Sequence, residues 1–218
     1  MKRVLRVLGA GMTALGLLAA MPSTAGAAEV ATTRCTNTLA PGTYATVVVP
    51  ANAVCIIDGP ITITNGLFIR SGATFVLGSE DQPGQTGIIV GGVHATNAAS
   101  VQIHFTAING GIDIRGGSGP FGGPFDVTFT TIEDSQINGP VLIEGYNGFW
   151  MGFIRNRVNG TVTLRNNVLA DPDGNEYVTN IINGDLICRG NSPAPQTGDS
   201  EGAQNIVTGA KVGQCRRV

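Results

Sequence analysis

One short phrase recurs through the chain: an apolar residue, Asn-Gly, and then two apolar residues spaced one apart. It reads INGGIDI at 108–114, INGPVLI at 137–143, VNGTVTL at 158–164 and INGDLIC at 182–188. IDGPITI at 57–63 fits as well, with Asp58 in the Asn place. Successive Asn residues stand 29, 21 and 24 positions apart. The 51 positions from Asp58 to Asn109 leave room for one weaker turn, for which TFVLG (74–78) and GIIVGG (87–92) supply strand text. Apolar alternation with a period of two marks a strand with one buried face. Asn-Gly before it is corner chemistry, because both residues tolerate positive φ. Helical patterning is nearly absent from the chain after its first 27 residues. A strand, a tight corner and a second strand, repeated about every 22 residues, bury their apolar face only by stacking on copies of themselves.

Asn-Gly is also the strongest hairpin signal, so an antiparallel sandwich or barrel is the competing fold. The phrase, however, returns every 21 to 29 residues, and its Asn keeps one place relative to the strand. Hairpin folds place turns about every 8–12 residues. The expected architecture is therefore all-β: a single-domain right-handed parallel β-helix of about seven or eight turns. Ile112, Ile114, Val141, Ile143, Val162, Leu164 and Leu186 are expected inside. Asn109, Asn138, Asn159 and Asn183 should align in one column about 5 Å apart and hydrogen-bond along the stack.

The first residues carry an address. Lys2, Arg3 and Arg6 precede an apolar run from Val7 to about Met21, followed by small-residue text ending in Ala25-Gly26-Ala27. This is the anatomy of a secretory signal peptide over 1–27, with the β-helix domain over 28–218. The run is short and Gly-rich for a membrane span. The exported part holds ten basic and fifteen acidic residues, a formal charge of −5. That balance gives no reason to expect nucleic acid or an anionic membrane as partner. Its four cysteines, Cys35, Cys55, Cys188 and Cys215, lie near its two ends and allow three pairings. An oxidising compartment makes disulfides the expectation. No Cys-x-x-Cys occurs, and both His are distant in sequence, which argues against a zinc site.

Two longer stretches carry a resemblance. They are YATVVVPANAVCIIDGPITITNGLFIRSGATF (44–75) and the ending NIINGDLICRGNSPAP…NIVTGAKVGQC (180–215). Together they resemble the opening and closing of a family of secreted actinobacterial β-helix proteins of uncharacterised function. The resemblance implies a right-handed parallel β-helix with a disulfide near each end, Cys35–Cys55 and Cys188–Cys215. Such bridges would cap terminal turns that lack a neighbour on one side. The resemblance implies no reaction.

Candidate chemistry is sparse. Under the register set by the phrase, one outward column reads Thr62, Asp113, Leu142, Thr163 and Ile187, and the column before it reads Pro60, Gly111, Pro140, Thr161 and Asp185. Neither brings two carboxylates together, so no catalytic residue is assigned and no cofactor is implied. Glu133 and Asp134 read as a solvated corner. His104 alternates outward with Gln102 and, like His94, reads as a surface histidine. DPDGNE (171–176) offers Asp171, Asp173, Asn175 and Glu176 as a weak calcium-loop candidate, although Asp-Pro-Asp-Gly is also ordinary turn text. GYNGFWMGF (145–153) gathers Tyr146, Phe149, Phe153 and Trp150, the chain's single Trp. Exposed on a rigid scaffold, these four would stack on sugar rings; otherwise they cover the solenoid's flank. Phe121 and Phe125 belong to a Gly/Pro-rich stretch that could lie beside them. The balance of these readings is a secreted, non-catalytic structural or binding module of the extracellular space or cell envelope. Its expected partner is a polysaccharide or an envelope component. The alternative is a polysaccharide lyase or glycoside hydrolase on the same scaffold. A cluster of carboxylates with Arg or Lys around one groove would favour that alternative.

Overall fold

The structure is a computed structural model that describes residues 31–57, 59–83, 86–118, 129–197 and 202–218. The signal peptide expected over 1–27, Asp58, Phe121 and Phe125 lie outside these. The described chain winds as a parallel β-helix of about seven turns, each turn built from three faces. Its one helical element is the 3-10 turn Gln214–Arg217.

The first face is a seven-stranded parallel sheet. Its last five strands are Thr74–Leu77, Ser100–His104, Phe129–Glu133, Trp150–Ile154 and Asn175–Val178. The second face stacks Gly87–Val90, Thr106–Asn109, Gln136–Asn138, Arg157–Asn159 and Ile181–Asn183. The third stacks Val93–Thr96, Ile112–Arg115, Val141–Glu144, Val162–Arg165 and Leu186–Arg189. The Asn-Gly corner joins the second face to the third. The register is the one the repeated phrase requires: Asn109 pairs with Asn138, Asn138 with Asn159, and Asn159 with Asn183. Their side chains form an exposed ladder, each amide donating to the Oδ1 of the Asn in the turn before, at 2.8, 3.0 and 3.3 Å. All seven expected core residues are buried, with Ile112, Val141, Val162 and Leu186 in one stack and Ile114, Ile143 and Leu164 in the next.

The early turn departs from the expected register. Ile61-Thr62-Ile63 pairs with Gly87–Ile89 on the second face, while Leu67-Phe68-Ile69 pairs with Val93–Ala95 on the third. The corner is therefore Thr64-Asn65-Gly66, and IDGPITI ends one corner too soon. Both Asp-Gly and Asn-Gly are turn text, and the sequence offers one of each. As a result Thr62 does not belong with Asp113. The third-face column reads Phe68, His94, Asp113, Leu142, Thr163 and Ile187. His94 stacks on Phe68, ring centroids 5.1 Å apart.

The other two corners carry buried amides. Between the first and second faces, Phe105, Asp134, Arg155 and Thr179 take φ of 48°, 50°, 55° and 59°. This left-handed step turns the next residue inward, giving Ser135, Asn156 and Asn180. Asn180 Oδ1 accepts from the Asn156 backbone N–H at 2.9 Å, and Asn205 Oδ1 accepts from that of Asn180 at 3.0 Å. Between the third and first faces, Asn191 Oδ1 accepts from the Asn167 N–H at 3.1 Å in the same way. A buried backbone N–H without a strand partner is costly, and these side chains supply the acceptor.

Both ends are pinned. Cys35–Cys55 and Cys188–Cys215 are disulfide-bonded, with Cα–Cα distances of 5.4 and 5.0 Å. Disulfides fit an oxidising compartment. No helix among the described residues is long and apolar enough to cross a membrane.

Candidate functional site

The first face differs from the other two. Its outward residues Gln102, His104, Thr131, Glu133 and Glu176 are buried, while Phe129 and Trp150 are half-buried. Two outward columns run across its turns. One is Val76, Gln102, Thr131, Gly152 and Glu176; the other includes His104, Glu133, Ile154 and Val178. The segment after Thr74–Leu77, carrying Ser79, Glu80 and Asp81, forms the rim of a cavity of about 520 Å³ with Gln102, His104, Thr131 and Glu133. Phe129, Phe149 and Trp150 form its apolar wall. A second cavity of about 380 Å³ shares Glu80, Glu133 and Trp150, and continues to Arg155, Asp171, Asp173 and Glu176. The two read as one groove along the stack.

Trp150 is placed by a missing side chain. Gly152, two positions on and on the same face, has the indole lying over it; a Cβ there would collide with the ring. Phe129 meets the indole edge-on, centroids 6.2 Å apart.

The polar floor is a charge cluster around Arg155. Its guanidinium donates to Asp134 from Nε (2.8 Å) and from Nη2 (2.9 Å), to Glu133 Oε2 (3.0 Å) and to Glu80 Oε1 (2.6 Å). Asp134 and Arg155 occupy the same left-handed corner position in successive turns, so the solenoid itself brings them together. Glu133 is only 3% exposed and also accepts from the Thr131 hydroxyl. Burial, and next the hydrogen bond with Glu80, push its carboxyl up to about 8. The same hydrogen bond, with Arg155 beside it, holds Glu80 down to about 2. At neutral pH the pair therefore shares one proton, as close carboxyls do. His104 stacks on Glu133 in register and is 5% exposed. Burial lowers its basicity and keeps it neutral. Its Nδ1 lies 3.9 Å from Glu133 Oε2, too far for a hydrogen bond, and has no hydrogen-bond partner.

Several expectations are corrected here. Glu133 is no solvated corner, and His104, although outward, is no surface histidine. The covering rim comes from Glu80, far away in sequence. Of the aromatic set, Phe149 and Trp150 line the groove, but Tyr146 and Phe153 are core residues, 1% and 0% exposed. Tyr146 points inward because Asn167 Oδ1 captures its backbone N–H, and its hydroxyl donates to the Ala99 carbonyl. Asp171, Asp173, Asn175 and Glu176 do not form a calcium loop. Gly174 N–H donates to the Asp171 carbonyl in a tight turn, and Asn175 is buried with its amide donating to Pro193 and its Oδ1 accepting from Tyr177. Among the described residues no group of three or more His, Cys, Asp or Glu is placed to hold a metal ion. Asp171, Asp173 and Glu176 instead line the far half of the groove. Comparison of the chain with family models, curated proteins and solved structures finds no match in any of the three.

Proposed function

We propose that the protein is a secreted, glycan-binding β-helix whose first-face groove holds an extended stretch of polysaccharide. The observation that carries this is the Trp150 platform: an indole laid over Gly152, edged by Phe129 and open on a polar floor. Sugar rings present apolar faces that stack on indole and hydroxyl rims that need polar partners. The groove crosses the strands from Val76 to Glu176, five turns deep, or about 19 Å at the usual strand spacing. That length suits a chain of sugars better than a single one. The signal-like head and the two disulfides support export.

The carboxyl cluster with Arg155 is the feature that favours an enzyme, and its geometry argues the other way. A glycoside hydrolase sets its two carboxyls about 5–9.5 Å apart to flank the scissile bond. Glu80 and Glu133 instead both close on one nitrogen, Arg155 Nη2, at 2.6 and 3.0 Å, with the guanidinium and not a sugar between them. A lyase acting on uronates needs a free cation to neutralise the substrate carboxylate. Arg155 is already engaged by three carboxyl groups. Binding without turnover is the reading that fits both facts.

The single Trp makes the test direct. Titration with a panel of neutral oligosaccharides should change the intrinsic fluorescence, and Trp150→Ala should abolish retardation in glycan affinity gels. Gly152→Val, which displaces the indole while keeping it, should weaken binding with the fold intact by circular dichroism. Glycan retardation unaffected by both variants would sink the proposal.

A further inference from the structure

Resting on the glycan-binding reading, we infer that the turn carrying Glu80 is a strap latched across the groove by Arg155, and that a polymer occupies both cavities only when this latch is open. Glu80, Glu133 and Trp150 are the residues common to the linings of the two cavities, so the passage from one to the other runs between them. Glu133 belongs to the floor and Trp150 to the apolar wall. Glu80 comes from the rim.

The strand register shows how far that rim reaches. Leu77 stands in line with Ile103, Ile132 and Phe153, so three turns separate it from Phe153, about 14 Å at the usual strand spacing. Glu80 follows Leu77 by three residues, and Arg155 follows Phe153 by two. Yet Glu80 Oε1 accepts from Arg155 Nη2 at 2.6 Å. The chain from Gly78 to Glu80 therefore leaves its own turn and runs along the stack, across the strand direction, past the turns that carry His104 and Glu133. It leaves the strand at Gly78, whose φ of 77° few other residues adopt.

The latch is built to release from one side. Arg155 keeps its two bonds to Asp134 and its bond to Glu133 when Glu80 departs, so the floor stays in place. The turn keeps its own bonds as well: Gln82 N–H donates to the Ser79 carbonyl and Asp81 N–H to the Ser79 hydroxyl. The Glu80 and Arg155 side chains are 56% and 33% exposed. An ion pair between groups so accessible to water is weak and is screened by salt. Closed, the strap divides the groove into two short compartments; open, it leaves one trough along the Trp150 wall. A ligand that needs the open form binds more weakly by the fraction of molecules that are closed.

The chain's single Trp reports on the strap without any ligand. Acrylamide, a neutral quencher, is titrated against Trp150 fluorescence in the wild type and in Glu80→Ala, at 50 and 500 mM salt. The quenching constant of the wild type should rise about 1.5-fold with salt, and that of Glu80→Ala should stand at the higher value in both. Circular dichroism checks that the variant keeps the fold, and the salt series needs no variant. Equal quenching of both proteins at both salts overturns the strap. In affinity gels cast with hydroxyethylcellulose, a neutral polymer, Glu80→Ala should be retarded about threefold more strongly than the wild type. Equal retardation of the two overturns the exclusion of polymer by the latch and leaves glycan binding standing. The expected quenching with neither protein retarded supports the strap and counts against the glycan reading.

Discussion

Replacing Asn180 by Ala should destabilise the protein far more than replacing Asn159, although both belong to amide ladders of the same residue type. Asn180 is buried, and its Oδ1 accepts from the backbone N–H of Asn156 at 2.9 Å and from its side chain at 3.1 Å. Its Nδ2 donates to the Phe153 carbonyl and to Asn205 Oδ1, each at 2.7 Å. Truncation leaves the buried Asn156 N–H without an acceptor, which costs about 1–3 kcal/mol, and removes further bonds worth about 1 kcal/mol each. The expected total is about 3–5 kcal/mol. Asn159 is exposed, donating to Asn138 and accepting from Asn183, and water replaces both contacts. Its loss should cost below about 1 kcal/mol. In a domain of this size each kcal/mol moves Tm by about 2–4 °C. Thermal unfolding followed by circular dichroism, with disulfides intact, should show Tm falling by about 8–15 °C for Asn180→Ala and by under about 4 °C for Asn159→Ala. Equal shifts would refute the argument that the inner ladder's role is to satisfy buried backbone.

Leu164→Ala removes a fully buried side chain between Ile143 and Cys188 and should cost about 2–4 kcal/mol in urea unfolding, whereas Thr163→Ala on the outer side should cost little. Reduction should loosen both ends first, with amide exchange rising in residues 31–57 and 185–218 before the middle turns; uniform exchange would contradict capping. The carboxyl pair sets a pH signature. Glu133, raised in the folded state, contributes stability present below the unfolded carboxyl range and lost as pH climbs towards about 8. Glu80, depressed, contributes stability lost as pH falls towards about 2. Tm of the wild type should therefore decline from pH 5 to pH 8 relative to Glu133→Gln, and parallel profiles would show that the proton is not held.

The solenoid was legible because its third face repeats a phrase whose two apolar residues point inward in every turn. The Asn-Gly corner made the register readable from Asn109 to Asn183. The inner ladder was written in the sequence too. Ser135, Asn156, Asn180 and Asn205 each stand two residues before the apolar residue that precedes Asn-Gly or Thr-Gly, a longer phrase than the one that draws the eye. The groove left no such trace. Its residues project outward from the first face, where stacking places no demand on residue type, so Gln102, Thr131, Gly152 and Glu176 share a column without sharing chemistry. Glu80 joins through a loop whose course no periodicity fixes. The left-handed corner conceals Arg155 and Asp134 equally, since Phe105 and Thr179 fill the same position. Burial, not pattern, distinguishes Glu133, and burial depends on that loop.

The inner amide ladders have a consequence for how such a chain can change in length. Each rung satisfies its neighbour by the same contact wherever it sits, so a rung does not know its number. The segment from Asn156 to Thr179 begins and ends at equivalent points of the ladder. A tandem duplication of those 24 residues would meet matching donors and acceptors above and below, and would leave both disulfides where they are. It would also copy Asp171, Asp173 and Glu176 of the groove's far half without copying Trp150. A coil inserted there would thus lengthen the groove and add no second platform, so that, for a polymer bound as proposed, reach along it and grip upon it are free to evolve separately.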